Sequence, residues 1–301
     1  MTSLPPPSSP LQAYCDVSVL HGGNVHIPES LALLDGKEGE MLPVPALSFL
    51  LIHSASKNSL LFDLGVDANW KTSYPPAVQN RIKTLPFFVD VPQDVVSSLV
   101  GNGCDPSTIN YVCLSHVHWD HVGNTKPFTG AVFIVGQGAL DMVNDGYPKN
   151  PDAIVSSDIL PLERTQPVSP NSNEIGNWAP IGPFHSALDF FGDGSVYTID
   201  APGHCPGHIN LLVRTSSDGG WLYLGGDSAH HRSLIKHNPE IPVHERLGCM
   251  HKDKELAKRT IARIKEVSEL PRVRVIIAHD TEWYEENKDQ PVWWPERLPS
   301  L

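Results

Sequence analysis

No hydrophobic run in this chain approaches the roughly 20 residues a membrane-spanning helix needs, so no membrane partner is expected. The opening stretch, Met1-Thr2-Ser3-Leu4-Pro5-Pro6-Pro7-Ser8-Ser9-Pro10, lacks a basic start and an apolar core. It carries no secretory signal by that measure and reads as the flexible tail of residues 1–15. Basic residues are scarce: 22 Lys and Arg stand against 34 Asp and Glu, a formal net charge of −12. A surface built for nucleic-acid phosphates needs the opposite balance, so a nucleic-acid substrate is not expected. The notable basic stretch, residues 252–265, has the period of an amphipathic helix. Leu256, Thr260, Ile261 and Ile264 form its inner stripe, and its charges read as a solvated face. Cys-x-x-Cys is absent, and the five cysteines, Cys15, Cys104, Cys113, Cys205 and Cys249, are odd in number. Reduced thiols and a cytoplasmic location are expected from that usage. No Gly-x-Ser-x-Gly elbow offers a serine nucleophile.

What the chain does have is histidine in a dense pattern. Residues 115–121 read Ser115-His116-Val117-His118-Trp119-Asp120-His121, with candidate ligands at His116, His118, Asp120 and His121. Neutral imidazoles and carboxylates are the donors that borderline divalent cations such as zinc prefer. The preceding Ile109-Asn110-Tyr111-Val112-Cys113-Leu114 is short, apolar and rich in β-formers, so the motif sits at the carboxyl end of a buried strand. In a partly extended loop His116 and His118 face one way and Val117 the other, while Asp120 and His121 turn a second pair elsewhere. One loop can therefore serve two metals. Three further strand-like runs end in candidate ligands: Ser195–Ile199 leads to His204, Trp221–Leu224 to Asp227, and Val273–Ala278 to His279.

These motifs resemble those of metallo-β-lactamase-fold hydrolases. The resemblance rests on His-x-His-x-Asp-His at 116–121, Pro-Gly-His-x-Pro-Gly-His at 202–208, Gly-Asp at 226–227 and the late His279. The opening hairpin around Phe49–His53 and Leu60–Gly65 adds to it, and the similarity covers roughly residues 40–282. It implies an α+β four-layer αββα sandwich and two zinc ions per chain. By analogy His116, His118 and His204 hold one zinc, Asp120, His121 and His279 hold the other, and Asp227 bridges them. His208 is expected to support the site without binding metal. An aspartate at 227, rather than the cysteine usual in dinuclear β-lactamases, points to the N-acyl homoserine lactonase-type branch and its fungal relatives. The implied activity is the opening of a small cyclic ester by metal-activated hydroxide, with Asp120 and Asp227 orienting the nucleophile and returning a proton.

The same site chemistry leaves other substrates open. A cyclic amide or carbamate presents the same carbonyl. A thioester of glyoxalase II or acyl-carrier type, and an iron-dependent sulfur dioxygenase reaction, stand further off. A non-catalytic binding protein is the poorest reading, since all seven ligand positions are filled. His230, three residues after Asp227, stands where the lactonases place a tyrosine, and reads either as an N–H donor to the substrate carbonyl or as an exposed loop histidine. Cys205 is expected to pack rather than ligate. His231, His237, His244 and His251 are candidates to border the pocket, whereas His21, His26, His53 and His185 read as structural. Residues 16–301 are taken as one domain with a long insertion around 136–190, of which Pro148–Pro183 looks irregular and lid-like. Substrate choice is expected to lie in that insertion, in residues 228–250 and in the C-terminus. The stretch Gln290–Pro295 is a candidate to pack back onto the domain or onto a second copy, which leaves a homodimer open.

Overall fold

The computed structural model describes residues 3–85, 87–171, 177–237 and 240–301. Residues 1–2 of the expected tail, 172–176 of the expected insertion and 238–239 of the downstream segment lie outside the described residues. Strands β1 (Cys15–Pro28), β2 (Met41–His53), β3 (Ser59–Phe62), β4 (Phe88–Asp90), β5 (Tyr111–Cys113), β6 (Val132–Gly136) and β7 (Thr165–Val168) form one sheet, ordered β4-β1-β2-β3-β5-β6-β7. Strands β8 (Trp178–Ile181), β9 (Phe184–Asp189), β10 (Val196–Asp200), β11 (Ile209–Arg214), β12 (Trp221–Leu224) and β13 (Val273–Ile276) form the second, ordered β13-β12-β11-β10-β9-β8.

The α+β sandwich follows from how apolar residues are spent on both faces of each sheet. In β2 and β3, Phe49, Leu51, Leu60 and Phe62 point between the sheets, where they meet Leu211, Val213, Leu222 and Leu224. Their neighbours Leu50 and Leu61 point outward, against Val95 and Leu99 of the helix Val95–Gly101 and against Val112 and Phe133. On the far side Leu212 and Tyr223 pack against Ala257, Ile261 and Ile264 of the helix Lys254–Ser268. Strands covered on both faces read as continuous apolar runs, and each such side chain contributes about 1.5–3 kcal/mol on burial. The inner stripe of the helix Lys254–Ser268 is shifted from expectation: Ala257 is buried and Leu256 only half-buried.

Two expectations are corrected. The stretch Pro148–Pro183 is not irregular throughout. It adds β7 to the free edge of the first sheet and β8 to the free edge of the second. Pro167 and Pro180 sit in those edge strands, where a missing N–H costs no ladder bond, and this is what hid them from a reading of the sequence. Nor do residues 3–14 run free of the sandwich: Arg214 Nη2 donates to Pro5 O, and buried Gln12 donates to Asp193 O. The C-terminal segment packs back along β1, where Trp294 N donates to Val19 O and Leu298 N to Val17 O. No helix among the described residues is long and apolar enough to cross a membrane.

Strand direction positions the site. β3, β5 and β6 are parallel, so their carboxyl ends share one edge. β10 and β12 both run antiparallel to β11, and β13 is parallel to β12, so these three also end together. The two edges are stitched where Ile209 N donates to Ser115 O and Leu47 N to Ala278 O. Six strands therefore end at one rim, and the segments after β3, β5, β10, β12 and β13 carry the residues described below.

Candidate metal centre

The loop after β5 carries His116 and His118 and then turns into the single helical turn Trp119–Val122, which brings Asp120 and His121 round behind them. The turn is pinned from outside the motif. Buried Tyr74 donates to Trp119 O at 2.5 Å, and Leu64 N donates to His121 O at 2.8 Å. Val117 points away into the core, as the alternation of an extended segment requires.

Hydrogen bonds decide which ring nitrogens are left free. His121 Nδ1 donates to Asp63 Oδ2 at 2.8 Å and His279 Nδ1 donates to Pro45 O at 2.7 Å, so both present Nε2. Ser115 Oγ donates to Asp63 Oδ2 at 2.7 Å and so accepts from His116 Nδ1 at 3.0 Å, which frees His116 Nε2. His118 Nδ1 and His204 Nε2 face one another at 3.0 Å. His208 has no nitrogen to spare: Nδ1 donates to Ala201 O at 3.1 Å and Nε2 accepts from Asp227 N at 3.0 Å. It thus contacts the Asp227 backbone directly. Gly226 makes this possible. Its φ is +46°, and a side-chain carbon there would come within 2.9 Å of His208 Nε2 and Ser115 Cβ.

Asp227 divides its two oxygens between two donor clusters. Oδ2 lies 3.5 Å from His204 Nε2 and 3.8 Å from His116 Nε2. Oδ1 lies 3.2 Å from His121 Nε2 and 3.4 Å from His279 Nε2. Asp120 Oδ2 completes the second cluster, 3.6 Å from His279 Nε2. The structure thus brings all seven sequence-derived ligand candidates together. Cys205 Sγ lies beside the first cluster, within 4.8 Å of a nitrogen of His116, His118 and His204.

The residues fit cations. His116 Nε2, His121 Nε2 and Asp227 Oδ1 are buried with no hydrogen-bond partner, an expensive arrangement unless something positive sits among them. Burial lowers His118 to about 4 and holds His116 and His204 well below the usual imidazole range, so these three stay neutral, as ligands must. Burial acts most strongly to lower His121 and His279, but Asp227 together with Asp63 at His121, and together with Asp120 at His279, outweighs it and holds both above their ordinary values. Protons on these two rings offset the carboxylates when no cation does, so cation binding here releases protons.

The site opens into a cavity of about 410 Å3. His118, Asp120, Asp227, His230 and His279 line its base, and Val25, Ile27, Val78, Ile82 and Phe87 line its walls. Most of that wall comes from β1 and from the segment 78–87, which the sequence did not single out. The insertion contributes Met142 and Ile154, residues 228–250 contribute His230, Leu247, Cys249 and Met250, and no C-terminal residue lines it among the described residues. His230 is not an exposed loop histidine: it is 4% exposed, with Nε2 3.2 Å from Asp227 Oδ2. His251 packs at ring separations of 4.8 Å from His230 and 5.4 Å from His204. His231 instead pairs with Ser233, His244 faces Glu38 and His237 is exposed. Asp280 is buried, caps the helix Thr281–Asn287 and binds Arg232 at 2.7 Å, tying the loop after β12 to the loop after β13. Asp63 is the most consequential residue that the sequence left without a role, and its place directly after a strand was the available signal.

Comparison with known proteins places the chain in a family. The family model described as the metallo-beta-lactamase superfamily matches residues 42–225. The metallo-hydrolase mfmC of Annulohypoxylon moriforme is 36% identical over 80% of this chain and 64% of its own length. The gamma-lactamase FDB1 of Fusarium pseudograminearum is 35% identical over 68% of this chain and 50% of its own. The chain spans 30 to 64% of the length of the first curated relatives it matches. Among solved structures, an N-acyl homoserine lactone hydrolase with its product N-hexanoyl-L-homoserine at the catalytic metal centre has a TM-score of 0.70. It shares 20% identity, covering 95% of this chain and 99% of that one.

Proposed function

The chain belongs to the metallo-beta-lactamase superfamily as a metal-dependent hydrolase, and from that premise we propose that it opens a small cyclic ester at a dinuclear zinc centre. The observation that carries the proposal is the division of Asp227, one oxygen toward each of two donor clusters. His116, His118 and His204 would hold one ion, Asp120, His121 and His279 the other, with Asp227 between them. When bound, such a pair supplies Lewis acidity and acidifies a shared water toward neutral pH. The chain's own groups do the rest. Asp120, partly exposed to the cavity, is placed to orient the attacking water and to return its proton to the leaving oxygen. His230 Nε2 is placed to donate a hydrogen bond to the carbonyl oxygen as charge builds on it. The apolar walls exclude bulk water and accept a hydrophobic ring or chain.

A second reading is a cyclic amide, favoured by the similarity to gamma-lactamase FDB1. It uses the same groups, because ester and amide present the same carbonyl. A screen of the zinc-loaded protein against lactones, lactams and thioesters, read as ring opening or cleavage by mass, decides between them. Hydrolysis of thioesters alone would sink both readings.

Two results are expected at the site itself. Purified protein should hold at least two zinc equivalents, because seven donors are too many for one tetrahedral ion. Elemental analysis showing one iron, and no second metal taken up from added zinc, would instead favour the dioxygenase chemistry. His230→Ala should lower kcat by on the order of 10²-fold with the paired metals retained, the usual loss for one oxyanion donor. Wild-type kinetics in that variant would return His230 to a packing role.

A further inference from the structure

Beside the two clusters lies a third group of imidazoles, which shares His204 with the first cluster and adds two rings that neither cluster uses. His204, His230 and His251 are 5%, 4% and 4% exposed, and one nitrogen of each lies within 4.8 Å of the others. Their ring centres are 5.0, 5.4 and 4.8 Å apart. Three imidazoles on one tetrahedral ion, with metal–nitrogen bonds of about 2.0–2.1 Å, hold their ring centres about 5 Å apart. The nitrogens left over are the telling feature. His204 Nδ1, His230 Nδ1 and both nitrogens of His251 are buried without a hydrogen-bond partner. A buried, unsatisfied polar atom costs about 1–3 kcal/mol, and four in one place call for an occupant.

We propose that His204, His230 and His251 form an auxiliary site for a borderline divalent cation of the zinc class, next to the hydrolytic pair. The donor set suits it: three imidazole nitrogens, the preference of zinc and its neighbours over magnesium or calcium. The proposal leans on the dinuclear reading only through His204, whose two ring nitrogens point in different directions. Nε2 faces His118 at 3.0 Å, and Nδ1 is the unpartnered one. Serving both ions strips His204 of its last ring proton, which passes to solvent, so the auxiliary site fills last and most weakly. An ion on His230 Nδ1 would also leave the remaining proton on Nε2, the nitrogen 3.2 Å from Asp227 Oδ2.

Titration of the metal-free full chain with cobalt(II), followed by absorption and by equilibrium dialysis, tests this against His251→Ala. The wild-type protein should bind one equivalent more than the variant, at weaker affinity than the first two. Far-ultraviolet circular dichroism monitors folding, and His251→Gln, which fills more of the buried space, replaces alanine if the smaller residue unfolds the chain. Equal stoichiometry in wild type and a folded His251 variant overturns the proposal. The difference between the two proteins decides the auxiliary site, whereas the number that the variant retains decides the pair. A variant retaining one equivalent would therefore sink the dinuclear reading and leave this one standing.

Discussion

Asp227→Ala is expected to abolish most turnover and to loosen both metals while the chain stays folded. The side chain is 3% exposed and lies between two donor clusters, so no neighbouring oxygen can take over both contacts. Losing the bridge removes several kcal/mol of charge stabilisation where the carbonyl reacts. At 1.36 kcal/mol per factor of ten, that is on the order of 10³-fold or more in kcat. The carboxylate also sets the charge of its surroundings. Burial acts to raise its pKa, but His121 and then His279 outweigh burial and hold it well below the usual carboxylate range, so it is ionised throughout the neutral region. Zinc stoichiometry, kcat and circular dichroism measured together decide the matter. A folded Asp227→Ala protein with two tight metals and near wild-type activity would show that the bridge is elsewhere.

The candidate metal centre was legible in the sequence because its donor residues are concentrated and their pattern is rare. His116, His118, Asp120 and His121 fall in one short loop, and each remaining ligand follows a recognisable apolar strand. The sandwich was legible for a related reason: strands buried on both faces, such as Leu60–Phe62, are continuous apolar runs. The walls of the cavity were not. Val25, Ile27, Val78 and Phe87 are ordinary apolar residues, and only the packing of β1 against the segment 78–87 turns them toward the metals. His251 was similarly indistinct, since nothing local marks a histidine that meets His204 and His230 from a separate loop. The edge strands β7 and β8 were obscured by the prolines that edge positions tolerate. What sequence reading missed is therefore what depends on long-range contact, whether between ordinary apolar residues or through a lone histidine such as His251.

Asp63 marks the boundary between these two kinds of information, and removing it should have the largest effect on stability. It stands directly after β3 at φ +59°, a left-handed conformation that an aspartate tolerates better than most side chains. From there one carboxylate oxygen accepts from Ser115 N at 2.6 Å, and the other accepts from Ser115 Oγ at 2.7 Å and His121 Nδ1 at 2.8 Å. Asp63 and His121 are each 1% exposed, so water cannot replace a lost contact. The aspartate thereby aims His121 directly and His116 through Ser115. Asp63→Ala should destabilise the chain by about 3–5 kcal/mol, the usual result of removing one partner from a buried charged pair. Zinc affinity at the His121 cluster should fall by about 10–100-fold, the range for partners that orient a ligand from behind. Asp63→Asn separates the two effects. Its amide oxygen can still accept from Ser115 or His121, so folding should largely recover while the lost charge leaves His121 a poorer ligand. Denaturant unfolding and zinc competition titrations on both variants give the answer. If Asp63→Ala unfolds at the wild-type midpoint with unchanged zinc affinity, the aspartate does not orient the metal centre.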